Sequence, residues 1–343
     1  MQIQHISAEY LPLPLVNPFV LSIRSTTNAN LVRWLVRFEN GSEQLAESVP
    51  VAYVTGETVE SALALVPKLE RDLREVVFEE DTDIECILAE LLPVEHSTRA
   101  ALEVSCIKEL LQRRSSTLWE YFGHCEHELT TDVTISKSPD ALTVSRAYYK
   151  RGFRAFKLKC GGENIEDDRL RIHALHRALP DITIRLDGNQ GFTGEQAVKF
   201  LSTLEQGGIA IELFEQPVPK QDWSALDFIA TRTRVPIIAD EACVTPNDAR
   251  LLFAQTAIAG VNVKVMKSGL FWARDIAEIA RAHDKQRMIG CMLESSVGIA
   301  PSVALAAGLG GFDYIDLDGH FLIEDTVPST AFETAGPTIR ILE

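Results

Sequence analysis

A chain of 343 residues with 46% hydrophobic content can bury one large core or divide into two domains, so disorder is not its default state. Its formal net charge of −16 and pI near 5.0 would repel phosphate backbones and anionic bilayers, which argues against nucleic acid and membrane partners but leaves room for a basic pocket that binds a small anion. The opening "MQIQHISAEYLPLPLVNPF" has neither a basic n-region nor an unbroken apolar run, and no stretch approaches the roughly 20 apolar residues of a spanning helix; a cytoplasmic protein is expected.

The first elements read as an α+β unit. "LVRWLVRFENGSEQLAES" (31–48) alternates Val32, Trp34, Val36 and Phe38 against Arg33, Arg37 and Glu39, then turns at Asn40-Gly41, which predicts an antiparallel hairpin. "ETVESALALVPKLERDLREV" (57–76) and "TRAALEVSCIKELLQRR" (98–114) repeat apolar residues three and four apart and predict helices. Six cysteines, at 86, 106, 125, 160, 243 and 291, form no CxxC pair and are read as reduced thiols.

From about residue 128 short apolar runs alternate with helical stretches. The runs are "DVTISK", "AFKLKC", "TIRLDGN", "IELFEQP", "PIIADEA", "GVNVKV", "RMIGCMLES" and "YIDLDG". Ser138-Pro139 and Thr245-Pro246 carry helix-start chemistry, a capping hydroxyl followed by proline in the first helical position. Eight strands at this pitch predict an α/β fold of the (β/α)₈ barrel type, with a doubly wound open sheet as the alternative. The tail "FETAGPTIRILE" is left over and is expected to return to the N-terminal unit.

The strand ends carry charge where packing would ask for none. In order they present Lys157 and Lys159, Asp187, Glu215, Asp240, Lys264, Glu294, and Asp316 with Asp318. In a barrel these ends converge on the face where active sites of this architecture lie. One such acid alone reads more simply as a turn former. Asp187, Glu215 and Asp240 in register on three consecutive strands read instead as hard oxygen ligands for one Mg²⁺, with Asn189, Gln216 and Glu241 placed to orient them. Lys159 and Lys264, on the second and sixth strands, stand across the ring as two opposed bases, and Lys157 beside Lys159 is expected to lower its pKa.

"KLK" (157–159), "DGNQGF" (187–192), "EQP" (215–217), "ADEA" (239–242), "NVKVMKSGL" (262–270) and "CMLESSVG" (291–298), in that order and spacing, resemble the muconate-lactonising subgroup of the enolase superfamily over nearly the whole chain. A Lys base working with Mg²⁺ is a known pattern of that superfamily. The resemblance implies a (β/α)₇β barrel over 121–320, an α+β capping domain over 1–120, and a C-terminal segment, 321–343, that returns to the cap. Within the subgroup "DLDG" (316–319) looks like the Asp-x-Asp motif of dipeptide epimerases, in which the paired acids hold the substrate's α-ammonium. Alternation puts Asp316 and Asp318 on one strand face, so both can meet one cation.

The same resemblance places two cap loops, near 15–26 and 47–58, over the barrel mouth. Val16, Phe19, Val49, Val51 and Tyr53 make them mainly apolar, whereas Arg24 matches a position that binds a distal carboxylate in alanyl-glutamate epimerases. Glu294 and Ser295 are expected to shape the pocket, and no lysine follows Glu294 as in some alanyl-glutamate enzymes. A Mg²⁺-dependent, homo-oligomeric dipeptide epimerase with hydrophobic side chains slightly favoured over Ala-Glu is therefore expected. The alternatives are a muconate-type cycloisomerase or o-succinylbenzoate synthase, which need no Asp pair, and a non-catalytic metabolite-binding protein. "HCEH" (124–127) and His173 with His176 lack further ligands and are read as surface features.

Overall fold

Buried Val32, Trp34, Val36 and Phe38 alternate with the more exposed Arg33 and Arg37, and this period of two builds the centre of the first sheet. In the computed structural model, which describes residues 1–20, 25–324 and 327–342, strand β2 (Ser25–Phe38) lies between β1 (Ile3–Val20) and β3 (Glu43–Ser48), antiparallel to both. The turn after Phe38 forms as the Asn-Gly pair predicts, with Gly41 at φ 83°.

Five helices follow: α1 (Val59–Ala64), α2 (Val66–Leu73), α3 (Asp81–Leu91), α4 (His96–Arg113) and α5 (Leu118–Tyr121). The single helix expected over 57–76 is two, because Pro67 lacks an N–H and is accommodated only in the first turn of a new helix. Helix α4 is buried on nearly every face, wedged between the cap sheet and the barrel.

After β4 (Glu128–Thr130) come the eight expected parallel strands: β5 (Val133–Ile135), β6 (Ala155–Lys159), β7 (Thr183–Asp187), β8 (Leu213–Glu215), β9 (Ile237–Ala239), β10 (Gly260–Val263), β11 (Gln286–Gly290) and β12 (Tyr314–Asp316). They are joined by α6 (Ala141–Lys150), α7 (Ile165–Ala178), α8 (Gly194–Gln206), α9 (Trp223–Ala230), α10 (Pro246–Gln255), the pair α11 (Val265–Ser268) and α12 (Leu270–Ala282), and α13 (Ser296–Leu309). Each strand pairs with its sequence neighbours, and the two edges meet where Asp132 N–H donates to the Ile315 carbonyl at 3.1 Å and Leu317 N–H to Thr131 Oγ1 at 2.8 Å. The barrel is thus (β/α)₇β beside a separate antiparallel cap sheet.

Residues two before Glu215, Asp240 and Asp316 share their strand face, and these are Leu213, Ile238 and Tyr314, which cluster with Met288 as an apolar floor. Outward-facing Phe156, Leu158, Ile184, Leu186 and Phe214 join the main core under the helices. Thr245 caps α10 as expected, accepting from Asp248 N at 3.1 Å with Pro246 at the start. At Ser138-Pro139 the helix begins later, at Ala141, and Ser138 Oγ instead accepts from Asp140 N–H at 3.1 Å. The tail forms β13 (Phe332–Ala335) and β14 (Thr338–Ile341), a hairpin whose second strand pairs with β4, while residues 322–324 bond to β1 through Val16 N–H to Leu322 O and Glu324 N–H to Pro14 O.

Candidate active site

Tight backbone packing at the strand ends explains the "DGN" and "EQP" sequences. A Cβ at Gly188 would lie 2.7 Å from Pro217 Cα, so only glycine lets the turns after β7 and β8 approach. Asn189, Gln190 and Gln216 then adopt positive φ, at 41°, 68° and 29°, a costly conformation for side-chain-bearing residues. Polar contacts hold it in place. Gln190 N–H donates to Gln216 O at 2.8 Å, and Gln216 Oε1 accepts from Asp240 N and Ala242 N at 2.9 and 3.1 Å. Asn189 N–H donates to Asp187 Oδ1 at 2.9 Å, and Gln190 Nε2 to Glu241 Oε1 at 3.2 Å.

These turns set three buried carboxylates among lysines. Lys159 Nζ lies 2.6 Å from Asp187 Oδ2, and Lys264 Nζ lies 2.7 Å from Asp240 Oδ2 and 3.6 Å from Glu215 Oε1. Lys157 Nζ sits 3.3 Å from Glu215 Oε2 and 4.0 Å from Asp187 Oδ2, and it pairs with Asp316. Lys267, absent from the expected set, is wholly buried and bonds to Asp240 Oδ1 at 2.7 Å. Asn262, also unforeseen, donates to Glu215 Oε1 at 2.7 Å. Both stand in the quoted "NVKVMKSGL", where helical spacing after Lys264 could have pointed to Lys267.

The acids differ in what their surroundings do to them. For Asp187 and Asp240, burial alone would raise the pKa, but the paired lysines outweigh it and both are held below the ordinary carboxylate range. Glu215 is pushed up to about 7 by burial and by Asp187, and Glu241 to about 7 by burial and Asp240. Burial opposes the charge on Lys157 and Lys264, yet the surrounding carboxylates win and hold both well above the usual lysine value. Lys159 departs from expectation. Burial and Lys157 do push its pKa down, but Asp187 at 2.6 Å prevails and the net direction is upward.

A second acidic group lies at the other side of the site. One carboxylate oxygen each of Asp132, Asp316 and Asp318 lies within 4.8 Å of the others. Asp132 is unforeseen because it stands before its strand, at the opening of "DVTISK", and not at the strand's end. It pairs with Arg185 at 2.8 Å, and burial with the Asp316 charge raises its pKa to about 8. Asp316 is raised to about 6, chiefly by burial, and Asp318 Oδ2 accepts from Thr134 N–H at 2.5 Å.

Both acidic groups carry buried oxygens without a hydrogen-bond partner, Glu241 Oε2 and Asn189 Oδ1 beside the first and Asp132 Oδ1 and Asp316 Oδ1 in the second, and both are held by cationic side chains. What suits Asp187, Glu215 and Asp240 to a hard divalent cation is charge: Asp187 and Asp240 are held below the ordinary carboxylate range, whereas burial and Asp316 push Asp132 up to about 8.

Lys157, Lys159, Lys264, Asp240, Asn189, Glu241 and Asp318 open on one cavity of about 220 Å³. Its opposite wall comes from the cap and includes Phe19, Val49, Val51 and Tyr53, with Met292 and Leu293 at the side. Phe19 places its ring 5.8 Å from Lys159 Nζ. Glu294 is buried behind this wall, where burial raises its pKa to about 8 and Met292 N–H donates to it at 2.7 Å. Ser295 turns away: its hydroxyl caps α13 and bonds to Glu47. Val16 is 51% exposed and forms no part of the wall, and Arg24 lies outside the described residues. His124 and His127 pack around the Trp119 ring, at 3.8 and 4.7 Å between centroids, away from this cavity.

Comparison with known proteins gives consistent matches. Residues 141–342 match the family described as enolase C-terminal domain-like. An aromatic dipeptide epimerase of Herpetosiphon aurantiacus is 30% identical over 99% of this chain and 96% of its own length. The substrate-liganded L-Ala-D/L-Glu epimerase of Bacillus subtilis superposes with a TM-score of 0.94 at 28% identity, covering 100% of this chain and 97% of that one. A dipeptide epimerase of Enterococcus faecalis, complexed with Mg and L-Leu-L-Tyr, gives 0.92 at 26% identity, covering 100% and 98%.

Proposed function

The chain belongs to the enolase superfamily and is an isomerase, and from that premise we propose that it is a Mg²⁺-dependent dipeptide epimerase inverting the α-carbon of the C-terminal residue. One observation carries the reading: two lysines, Lys159 and Lys264, reach the same cavity from opposite strands of the ring, with a buried carboxylate, Asp318, on its wall.

Asp187, Glu215 and Asp240 would hold the Mg²⁺, which supplies Lewis-acid neutralisation of the carboxylate charge that builds as the α-carbon loses its proton. Lys157 stays an ammonium, since Asp316 and Glu215 flank it, and acts as a fixed positive charge toward the enediolate oxygens. Of Lys159 and Lys264, the one present as free amine takes the α-proton from its face. The other, present as ammonium, returns a proton to the opposite face. Each turnover exchanges their protonation states, so the enzyme is left ready for the reverse direction. Asp318, with Asp316 behind it, accepts the substrate's α-ammonium.

The apolar wall of Phe19, Val49, Val51, Tyr53, Met292 and Leu293 supports hydrophobic side chains over Ala-Glu.

Proton NMR of a dipeptide library in D₂O with the Mg²⁺-loaded protein tests the reading. The expected result is loss of the C-terminal residue's α-proton signal and appearance of a diastereomer, strongest for hydrophobic dipeptides and abolished in Asp316→Asn/Asp318→Asn. No exchange in any dipeptide from folded, metal-loaded protein would defeat it.

A further inference from the structure

Lys264 sits at the start of a short turn, α11, whose far end is gripped from outside the barrel. Arg99 of α4 is fully buried, and its Nη2 donates to the Ser268 carbonyl at 2.5 Å. Its guanidinium lies 3.7 Å from the Trp272 ring centroid and 3.2 Å, through Nε, from Glu103 Oε1. Glu103 Oε2 accepts from Leu270 N–H at 2.5 Å. Between these two anchor points Gly269 has φ 83°, and a Cβ there would lie 2.8 Å from Glu103 Oε2 and 2.9 Å from Arg99 Nε. The backbone therefore rests directly on the ion pair.

The same helix is gripped at its start by the cavity wall. Glu57 accepts from Ser97 N, Thr98 N and Thr98 Oγ1 at 2.8 to 2.9 Å, and Val49 N–H donates to Ser97 Oγ at 2.7 Å. Residues 49–54 line the cavity. Two turns of one helix thus bond to the cap's substrate wall and to the turn bearing one of the two opposed lysines. The strand of Lys159 is held instead from within the barrel, by β5 and β7 and by Arg171 of α7, whose guanidinium donates to the Lys159 carbonyl.

We infer that Arg99 and Glu103 are positioning residues for Lys264, a clasp through which the cap sets the reach of one base and not the other. The inference rests on the two-base reading above. Near-attack geometry is steep in distance, so a small displacement of Lys264 would cost its face of the reaction while leaving the other face intact.

The test is made on the Mg²⁺-loaded Arg99→Gln/Glu103→Gln protein, which removes the pair without leaving one buried charge unpaired. Each pure epimer of a dipeptide substrate is incubated separately in D₂O. From the epimer that presents its proton to Lys159, exchange with retention should persist near the wild-type rate while inversion falls about tenfold or more. From the other epimer, exchange and inversion should both fall. Equal losses from both epimers, as a general structural defect would give, or no loss at all, would overturn the inference. Arg99→Lys, which keeps the charge but not the planar stack on Trp272, should show the same asymmetry and serves if the double variant does not fold.

Should the wild-type protein exchange no dipeptide, the epimerase reading fails first. Hydrogen–deuterium exchange then judges the clasp by itself: faster exchange in the variant confined to the segment 262–272 and the 49–57 wall upholds it, and unchanged exchange there refutes it.

Discussion

The lysines of the site differ in their neighbours, and the proposed reaction gives each a different task for that reason. Lys157 is shared among Asp316, Glu215 and Asp187, so it is suited to remain charged, while Lys159 pairs with Asp187 and Lys264 with Asp240 and, at 3.6 Å, Glu215. Glu294 is the residue whose titration should be visible in stability. Its pKa of about 8, against an ordinary 4.5, means that the folded state binds more protons than the unfolded chain between those values. Stability contributed by this group is therefore full below pH 4.5 and is lost as pH rises toward 8, by on the order of a few kcal/mol. Urea unfolding of wild type and Glu294→Gln at pH 5 and pH 9, without metal, should show the variant gaining relative to wild type at the higher pH. Equal differences at both pH values would mean that Glu294 ionises freely in the fold. The strand-end acids and lysines were readable because a charge ending an apolar run conflicts with packing. Lys267 and Asp132 were not, since one lies a helical turn past its strand and the other before it.

At the scale of elements, local chemistry decided where the chain turns, and tertiary contacts decided where helices begin. Thr245-Pro246 starts α10 as capping rules require, but at Ser138-Pro139 the same pairing gives a turn, and the helix waits until Ala141. Pro67 divides a continuous apolar periodicity because a missing N–H can be tolerated only where no helical bond is due. Strand β10 shows the opposite dependence. Gly260 looks unremarkable in sequence, yet a Cβ there would lie 2.0 Å from the Gln286 carbonyl oxygen of β11. Gly260→Ala should therefore push β11 away from the strand that leads into Lys264, lowering stability by roughly 1–3 kcal/mol in chemical denaturation and slowing turnover. An unchanged unfolding midpoint would show that the strands part without cost.

Across the whole molecule, three buried carboxylates surrounded by lysines make the barrel mouth a place where a divalent cation should stabilise the fold. Mg²⁺ at about a hundred times its dissociation constant should add about 2.7 kcal/mol, read as a rise in Tm that chelator reverses. Asp187→Asn, Glu215→Gln and Asp240→Asn should each lose that rise and Asp316→Asn should keep it. The reverse pattern would assign the ion to the Asp132 group. Among the described residues no helix is long and apolar enough to cross a membrane. By itself the sequence determined the alternation of strands and helices, the hairpin at Asn40-Gly41, and the ring of charged strand ends, because period-two and period-3.6 patterning and turn chemistry act within a few residues. Only the tertiary structure decided which lysine faces which acid, that Ser295 serves α13 while Glu294 is buried against the Met292 backbone, and that α4 reaches the turn of Lys264. Those relations join residues far apart in the chain, and they are set by burial and close packing that no local pattern records.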